Sequence, residues 1–289
     1  MKSEILRQLF FVVGWTSITF ANPPKFIQSG AATIAYYEEG RREGTPLVVI
    51  AGGPGFDHDY LRIGKGWDQL IAEHRVVFYD QRGTGHSSPV TPEISITVTD
   101  FVADLEALRE ALNAKSLDLL EHSCGGYFAM AYATAHADRV RHLILVDSAG
   151  PKMTDDVVTL FGQIYPDKGA VLPDWSKKSL EGYLSLLFHS PENRKAWLPQ
   201  AAKVGFNPLV FEKLSSKPPD LTSEISKLKV PTLILHGRHD MNVAPITGWT
   251  LHQAIKDSQI IFFESSGHLP FFEEPELFGR AVGHFITDN

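Results

Sequence analysis

Apolar residues in this chain fall into short continuous runs that alternate with stretches of three- and four-residue spacing, the signature of strands and helices taken in turn. Thr33 to Glu38 alternates polar and apolar positions and predicts an early antiparallel strand, while Leu47 to Ile50 and Arg75 to Tyr79 predict buried strands. Phe101, Leu105, Leu108 and Leu112 share one helical face, with Thr99 or Asp100 as the predicted cap. The run Leu117 to Leu120 follows, then a predicted helix from Gly125 to His136 and a strand from Val140 to Val146. The strand pattern resumes only at Val230 to Gly237 and Gln259 to Phe263. Such alternation predicts an α/β fold: a mostly parallel, doubly wound sheet covered by helices on both faces. Between Met153 and Ser226 the strand signal vanishes. Helical spacing and aromatics replace it, among them Phe161, Tyr165, Trp175, Tyr183, Phe188, Trp197, Phe206 and Phe211.

The segment Leu117-Asp118-Leu119-Leu120-Glu121-His122-Ser123-Cys124-Gly125-Gly126 reads as an apolar strand that turns abruptly into a helix, a geometry that exposes one residue at its apex, Ser123. A serine hydroxyl is a weak nucleophile until a base takes its proton, so a histidine and a carboxylate are expected further along. Asp240 lies just past the strand ending at Gly237, and His268 sits in the loop after Phe263. In that reading His268 accepts the proton of Ser123 and Asp240 fixes the imidazole tautomer. Two backbone N–H groups must then face the developing oxyanion. The amide of Cys124 is one, and the glycine loop after Ile50 offers the other, with Gly53 preferred and Gly52 its neighbour. Cys124 itself lies off the apex and is expected to point inward as a small buried group. Asp257 rivals Asp240 locally but precedes its strand. His236 and His239 would suggest a metal only with further ligands, and the sequence offers no clear cluster around them, so neither metal nor cofactor is expected.

The chain order Ser, Asp, His resembles that of the α/β-hydrolase superfamily, and further motifs resemble its proline iminopeptidase group. Gly52-Gly53-Pro54-Gly55 is similar to the tail of that group's H-G-G-P-G, and Asp80-Gln81-Arg82-Gly83-Thr84-Gly85-His86-Ser87 to its D-Q-R-G-x-G-x-S. Asp220-Leu221-Thr222 followed by Val230-Pro231-Thr232-Leu233 resembles the return from cap to core. The resemblance implies an α/β-hydrolase fold with a core at residues 22–150 and 227–289 and a helical cap inserted at 151–226. It also implies a serine hydrolase that cleaves an ester or amide through an acyl-enzyme and acts on a small molecule or short peptide. A small-molecule carboxylesterase, or a binding protein on an impaired hydrolase scaffold, stays open beside it. Ala51 stands where the loop usually has histidine. Glu121 stands where the elbow usually has a small residue, so its side chain must swing outward or strain the turn. A buried charge there would oppose the oxyanion. Met241-Asn242 follows Asp240, where some aminopeptidases of the group carry an acidic residue for the substrate amine. Glu181, Glu192 and Glu212 are the cap carboxylates that could take that amine instead.

With 289 residues and 43% hydrophobic content, the chain can bury one large core, and a second independent domain is not expected. A net charge of −7 without charge blocks argues against a nucleic-acid partner. Lys2 and Arg7, the apolar run Leu9 to Phe20 and the small residue Ala21 read as a signal peptide over residues 1–21, too short for a stable membrane span. That predicts a periplasmic or secreted protein, or a cytoplasmic one if the segment is instead an N-terminal helix. One cysteine forms no intrachain disulfide and leaves the compartment open. Oligomeric state is not legible.

Overall fold

A computed structural model describes residues 23–152, 186–201, 203–214 and 218–288. The expected signal peptide and the cap residues 153–185, with Phe161, Tyr165, Trp175, Glu181 and Tyr183, lie outside them. Among the described residues, no helix is long and apolar enough to cross a membrane. Eight strands form one sheet: β1 (Lys25–Ser29), β2 (Ala32–Gly40), β3 (Leu47–Ile50), β4 (Arg75–Tyr79), β5 (Leu117–His122), β6 (Val140–Val146), β7 (Thr232–Gly237) and β8 (Gln259–Phe263). Their spatial order is β1-β2-β4-β3-β5-β6-β7-β8. The first two pairings, β1 with β2 and β2 with β4, are antiparallel, and all others are parallel. β1 was not expected from the sequence, because Lys25–Ser29 mixes exposed and half-buried positions at the sheet edge.

Helices cover both faces, as the near-continuous apolar strands require. Val48, Ile50, Leu119, Leu143, Leu145 and Ile234 turn to one face, against α2 (Val98–Ala111), α3 (Gly125–Ala135) and α7 (Pro245–Ala254). Their strand neighbours Leu47, Val49, Leu120, Ile144, Leu233 and Leu235 turn to the other, against α1 (Asp68–Glu73) and α9 (Pro275–Asp288). This period-two division places Glu121 on the α3 side and His122 on the opposite side. The cap of α2 is Thr97, earlier than the expected Thr99 or Asp100. Thr97 Oγ1 accepts the Asp100 N–H while the Asp100 carboxylate accepts the Thr97 N–H, a reciprocal capping box.

Between β6 and β7 the described elements are helices: α4 (Pro191–Ala201), α5 (Pro208–Leu214) and α6 (Thr222–Ile225). Leu187, Phe188, Trp197 and Val204 join the α1–α9 core layer. Val210, Leu214 and Leu221 join the other. The remaining short helix, α8 (Pro270–Glu273), follows His268 and carries Phe271 into the core.

The α2–α3 contact is centred on Phe101 and Phe128, stacked at 4.2 Å with rings 13° from parallel. Both are essentially fully buried. Phe128→Ala is expected to lose about 3–5 kcal/mol of stability through lost transfer energy and the cavity left behind. Urea denaturation measures this, and a loss below about 1 kcal/mol would mean that the two helices do not depend on the stack.

Candidate active site

Every residue of β5 is buried, and the chain reverses into α3 within two residues. The reversal forces Ser123 into the left-handed region, with φ at +60°. For a non-glycine residue that costs roughly 1–3 kcal/mol and persists only where the surroundings over-determine it. They do so here: Ser123 N–H donates to the Val146 carbonyl at 3.0 Å, and its own carbonyl accepts from Ala149 N–H at 2.8 Å. Two glycines supply the clearance. A Cβ on Gly52 would lie 2.8 Å from Ser123 Cβ, and one on Gly125 would lie 2.8 Å from the Ala51 carbonyl. Cys124 is buried, as expected.

Asp240 and His268 come together. His268 Nδ1 and Asp240 Oδ2 are 2.6 Å apart, with Asp240 fully buried and His268 nearly so. The other carboxylate oxygen, Oδ1, accepts the N–H groups of Asn242 at 2.8 Å and Val243 at 2.9 Å. These bonds fix Asp240 as an acceptor on both oxygens and leave Nδ1–H as the donor of the imidazole. His268 Nε2, the face free for base chemistry, meets the side-chain amide of Asn242 at 3.1 Å. No hydrogen bond joins Ser123 Oγ to His268 in this structure. His122, the residue before Ser123, has its ring centroid 4.6 Å from that of His268. Asp257, the sequence rival of Asp240, is exposed before β8.

Glu121 corrects an expectation. Its side chain neither swings outward nor is exposed: it is wholly buried beneath α3, where a Cβ on Gly126 would meet Glu121 Oε1 at 2.4 Å. Glycine at 126 makes room for the carboxyl. Neither carboxyl oxygen has a well-formed hydrogen bond. Burial therefore dominates, and it pushes the Glu121 carboxyl well above its ordinary value of 4.5, opposed only weakly by Ser148 and the backbone at Val146 and Gly126. A neutral side chain at this position places no charge behind the elbow.

His236 also departs from expectation, because carboxylates do surround it. Among the described residues Asp147, His236 and Asp240 bring donor atoms within 4.8 Å of one another, and so do His122, Asp147 and His268. Each set has only three donors, and most of their polar atoms are held by protein partners, although Asp147 Oδ2 and His236 Nδ1 are buried without one. Asp147 Oδ1 accepts the Gly237 N–H at 2.7 Å, and His236 Nε2 donates to the Val243 carbonyl at 3.0 Å. Burial, and then the charge of Asp240, raise the Asp147 carboxyl well above the usual carboxylate range. His239 is exposed and stacks on His189.

The glycine loop is braced from several sides. Gly52 N–H donates to the Tyr60 hydroxyl at 2.7 Å, which commits the amide of Gly53's neighbour to the protein itself. Gln81 Nε2 donates to the Ala51 carbonyl at 2.5 Å. The rest of the Asp80–Ser87 motif is likewise structural: Asp80 accepts from His58 Nδ1 and His86 N–H, and Arg82 grips Asp104 through two nitrogens. The chain between β6 and β7 closes over the same loop. Asn207 N–H donates to the Gly55 carbonyl at 2.8 Å, and buried Asp57 accepts the Gly205 N–H at 2.7 Å. Glu192 and Glu212, two of the carboxylates considered for a substrate amine, are exposed on α4 and α5.

Tyr60, Asn242 and Asp147 were missed as site neighbours in the sequence. Asp147 had a usable signal, since it directly follows β6, the strand beside the elbow strand, and Asn242 had a weaker one, in the loop after β7 two residues past Asp240. Tyr60 had none, because it sits in irregular chain.

A sheet with this order, a strained serine after β5, and an acid and a histidine after β7 and β8 define the hydrolase architecture. A profile of the alpha/beta hydrolase fold matches residues 45–169. A proline iminopeptidase of Saccharolobus solfataricus is 30% identical over 285 residues, covering 87% of this chain and 88% of its own length. A proline iminopeptidase of Lactobacillus acidophilus is 29% identical, covering 86% and 92%. A thermophilic esterase from Thermogutta terrifontis superposes with a TM-score of 0.72 at 22% identity, over 92% of this chain and 99% of that one. The chain belongs to the α/β-hydrolase family. Within it, the sequence is proline iminopeptidase-like.

The state of Glu121 has a pH signature. A carboxyl whose pKa is higher folded than unfolded stabilises the fold fully below the unfolded value, and that contribution is lost as pH rises toward the folded one. Glu121→Gln keeps the shape without the titrating proton, so its melting temperature is expected to gain on wild type as pH rises above the ordinary carboxyl value of 4.5. A gap that stays constant across that range would show that Glu121 ionises normally.

Proposed function

We propose that the protein is a serine hydrolase that cleaves an ester or amide through an acyl-enzyme, with Ser123, His268 and Asp240 as its triad. The carrying observation is the strained backbone of Ser123 at the end of β5, beside a His268–Asp240 pair joined at 2.6 Å. Attack begins when Nε2 of His268 exchanges the Asn242 amide for the Ser123 hydroxyl. In apo enzymes such contacts are commonly loose and tighten with substrate. His268 takes the hydroxyl proton as Ser123 Oγ bonds to the carbonyl carbon, and the amides of Gly53 and Cys124 receive the negative oxygen. Collapse expels the leaving group, which takes the proton from His268. Water then repeats the sequence in reverse on the acyl-serine and frees the acid. Asp240 holds Nδ1–H throughout, orienting the ring and stabilising the imidazolium. Glu121, kept neutral by burial, does not repel the oxyanion. The reading of a disabled scaffold then rests on Ala51 alone of its two motives, Glu121 and Ala51. No metal or cofactor takes part in this sequence.

The relatives named proline iminopeptidases make N-terminal prolyl peptides the first substrate class to assay, with a small-molecule carboxylesterase as the alternative. The residues between β6 and β7 are proposed as the cap, 151–226, on a core of 22–150 and 227–289. Residues 1–21 are likewise proposed as a signal peptide that directs the protein to the periplasm or outside the cell, with a cytoplasmic location if that segment is not a signal.

Ser123→Ala is expected to abolish p-nitrophenyl acetate turnover with little change in melting temperature, and a fluorophosphonate probe is expected to label wild-type Ser123 alone. Equal turnover by both proteins, or an unlabelled folded wild type, would defeat the reading. Parallel assays of proline β-naphthylamide and short p-nitrophenyl esters separate the peptidase from the esterase.

A further inference from the structure

We propose that Tyr60 and His122 form a positioning relay that sets the oxyanion loop against the backbone of His268, an assignment that rests on the hydrolase reading above. The relay touches no reacting atom. It is a continuous buried path: Gly52 N to Tyr60 Oη at 2.7 Å, Tyr60 Oη to His122 Nδ1 at 2.8 Å, and His122 Nε2 to the His268 carbonyl at 2.7 Å.

The direction of each link follows from donor chemistry. A backbone carbonyl only accepts, so His122 Nε2 must carry the hydrogen. The ring is fully enclosed, and burial drives its pKa well below the ordinary value, with nearby His268 adding to the shift, so the imidazole is neutral. A neutral imidazole with Nε2–H has a bare Nδ1, which must accept. The Tyr60 hydroxyl is its donor, and the Tyr60 oxygen in turn accepts from Gly52 N–H. Each of the three links then has one donor and one acceptor, and all run in one direction. Packing holds the ring in place: Phe271 meets His122 edge-on with centroids 5.2 Å apart, and Tyr60 lies at 5.5 Å.

Position gives the relay its consequence. Ala51, directly before Gly52, offers only a methyl group, so a side chain from outside the loop must hold its first glycine amide. Tyr60 supplies that hold. At the far end, His268 is pinned on its other side by its own N–H, which donates to the Leu187 carbonyl at 2.7 Å. The loop that carries Gly53 and the segment that carries the base are therefore set to a common reference, the His122 ring on the residue before Ser123. Cutting the path lets loop and base shift separately. Displacements on the order of 1 Å cost up to ~100-fold in rate.

Three variants and one spectrum test this. Tyr60→Phe keeps the ring and removes the hydroxyl; His122→Leu removes both polar atoms; His122→Gln restores one donor and one acceptor. Turnover of p-nitrophenyl acetate is measured per fluorophosphonate-reactive site, with melting temperatures alongside. Tyr60→Phe and His122→Leu are expected to lower kcat roughly 10- to 100-fold with KM changed less than about 3-fold, and His122→Gln to recover part of the loss. Imidazole 15N NMR of wild type is expected to show His122 with its proton on Nε2, unchanged between about pH 5 and pH 8. Unaltered kcat per reactive site in both Tyr60→Phe and His122→Leu, whatever their melting temperatures, overturns the relay. So does a His122 that carries its proton on Nδ1 or becomes charged in that range. A wild type that neither labels nor turns over defeats the hydrolase reading and with it the catalytic role of the relay, while the tautomer spectrum still decides the hydrogen-bond path by itself.

Discussion

The backbone of Ser123 is the constraint on which the rest of the site depends. The strain of an L-residue held at a φ of +60° is offset by its neighbours, and the compensation is visible in what stands around it. Gly52 and Gly125 leave space that any Cβ would fill, and the Val146 carbonyl ties the serine amide to the next strand. The turn sits where β5, in mid-sheet, is flanked by β3 on one side and β6 on the other. Relaxing it would require moving both neighbours, so the apex is held rigidly while the loops around it carry the variation.

Two consecutive residues before that apex face opposite layers, and each brings a titratable group into a dry interior. The two are handled in different ways. Glu121, under α3, has no good partner, and burial keeps it neutral by holding its proton. His122, on the other face, is neutral for the same reason of desolvation, yet both its nitrogens are used. An unpartnered polar group costs stability without conferring geometry, whereas a fully satisfied one specifies a single arrangement. The contrast marks His122 as the residue of the pair that organises its surroundings.

Much of the scaffold was legible because it is written in local pattern. Val48 and Leu119 face one layer and Val49 and Leu120 the other, which is the period-two rule for parallel strands buried on both sides. Asp240 and His268 were legible because they follow strand ends, and their pairing at 2.6 Å is a tertiary fact that sequence order foreshadowed. The course of Glu121 was not. The expectation that it must swing outward or strain the turn took the elbow as tight on every side, and missed that Gly126, the second residue of α3, opens a slot of its own. Tyr60 escaped for a different reason: nothing near it in the chain is periodic, and its meaning comes from joining Gly52 to His122, 62 residues away. Likewise Lys25–Ser29 pairs with β2 at an exposed edge, where half-polar composition conceals a strand.

Charge in this interior is arranged by subtraction. Glu121, His122, Asp147 and His236 are all shifted toward their neutral forms, each chiefly by burial. At low effective dielectric, two like charges a few ångströms apart would interact by several kcal/mol, enough to unsettle a fold of ordinary stability. Neutral neighbours remove that interaction. They also leave Asp240 as the carboxylate whose oxygens are met by two backbone N–H groups and an imidazole. Charge that develops during acyl transfer would then be answered by fixed dipoles and by the His268–Asp240 pair. Nearby ions would not compete for it. The same burial that makes these side chains costly to enclose thus gives the proposed oxyanion a quiet electrostatic setting.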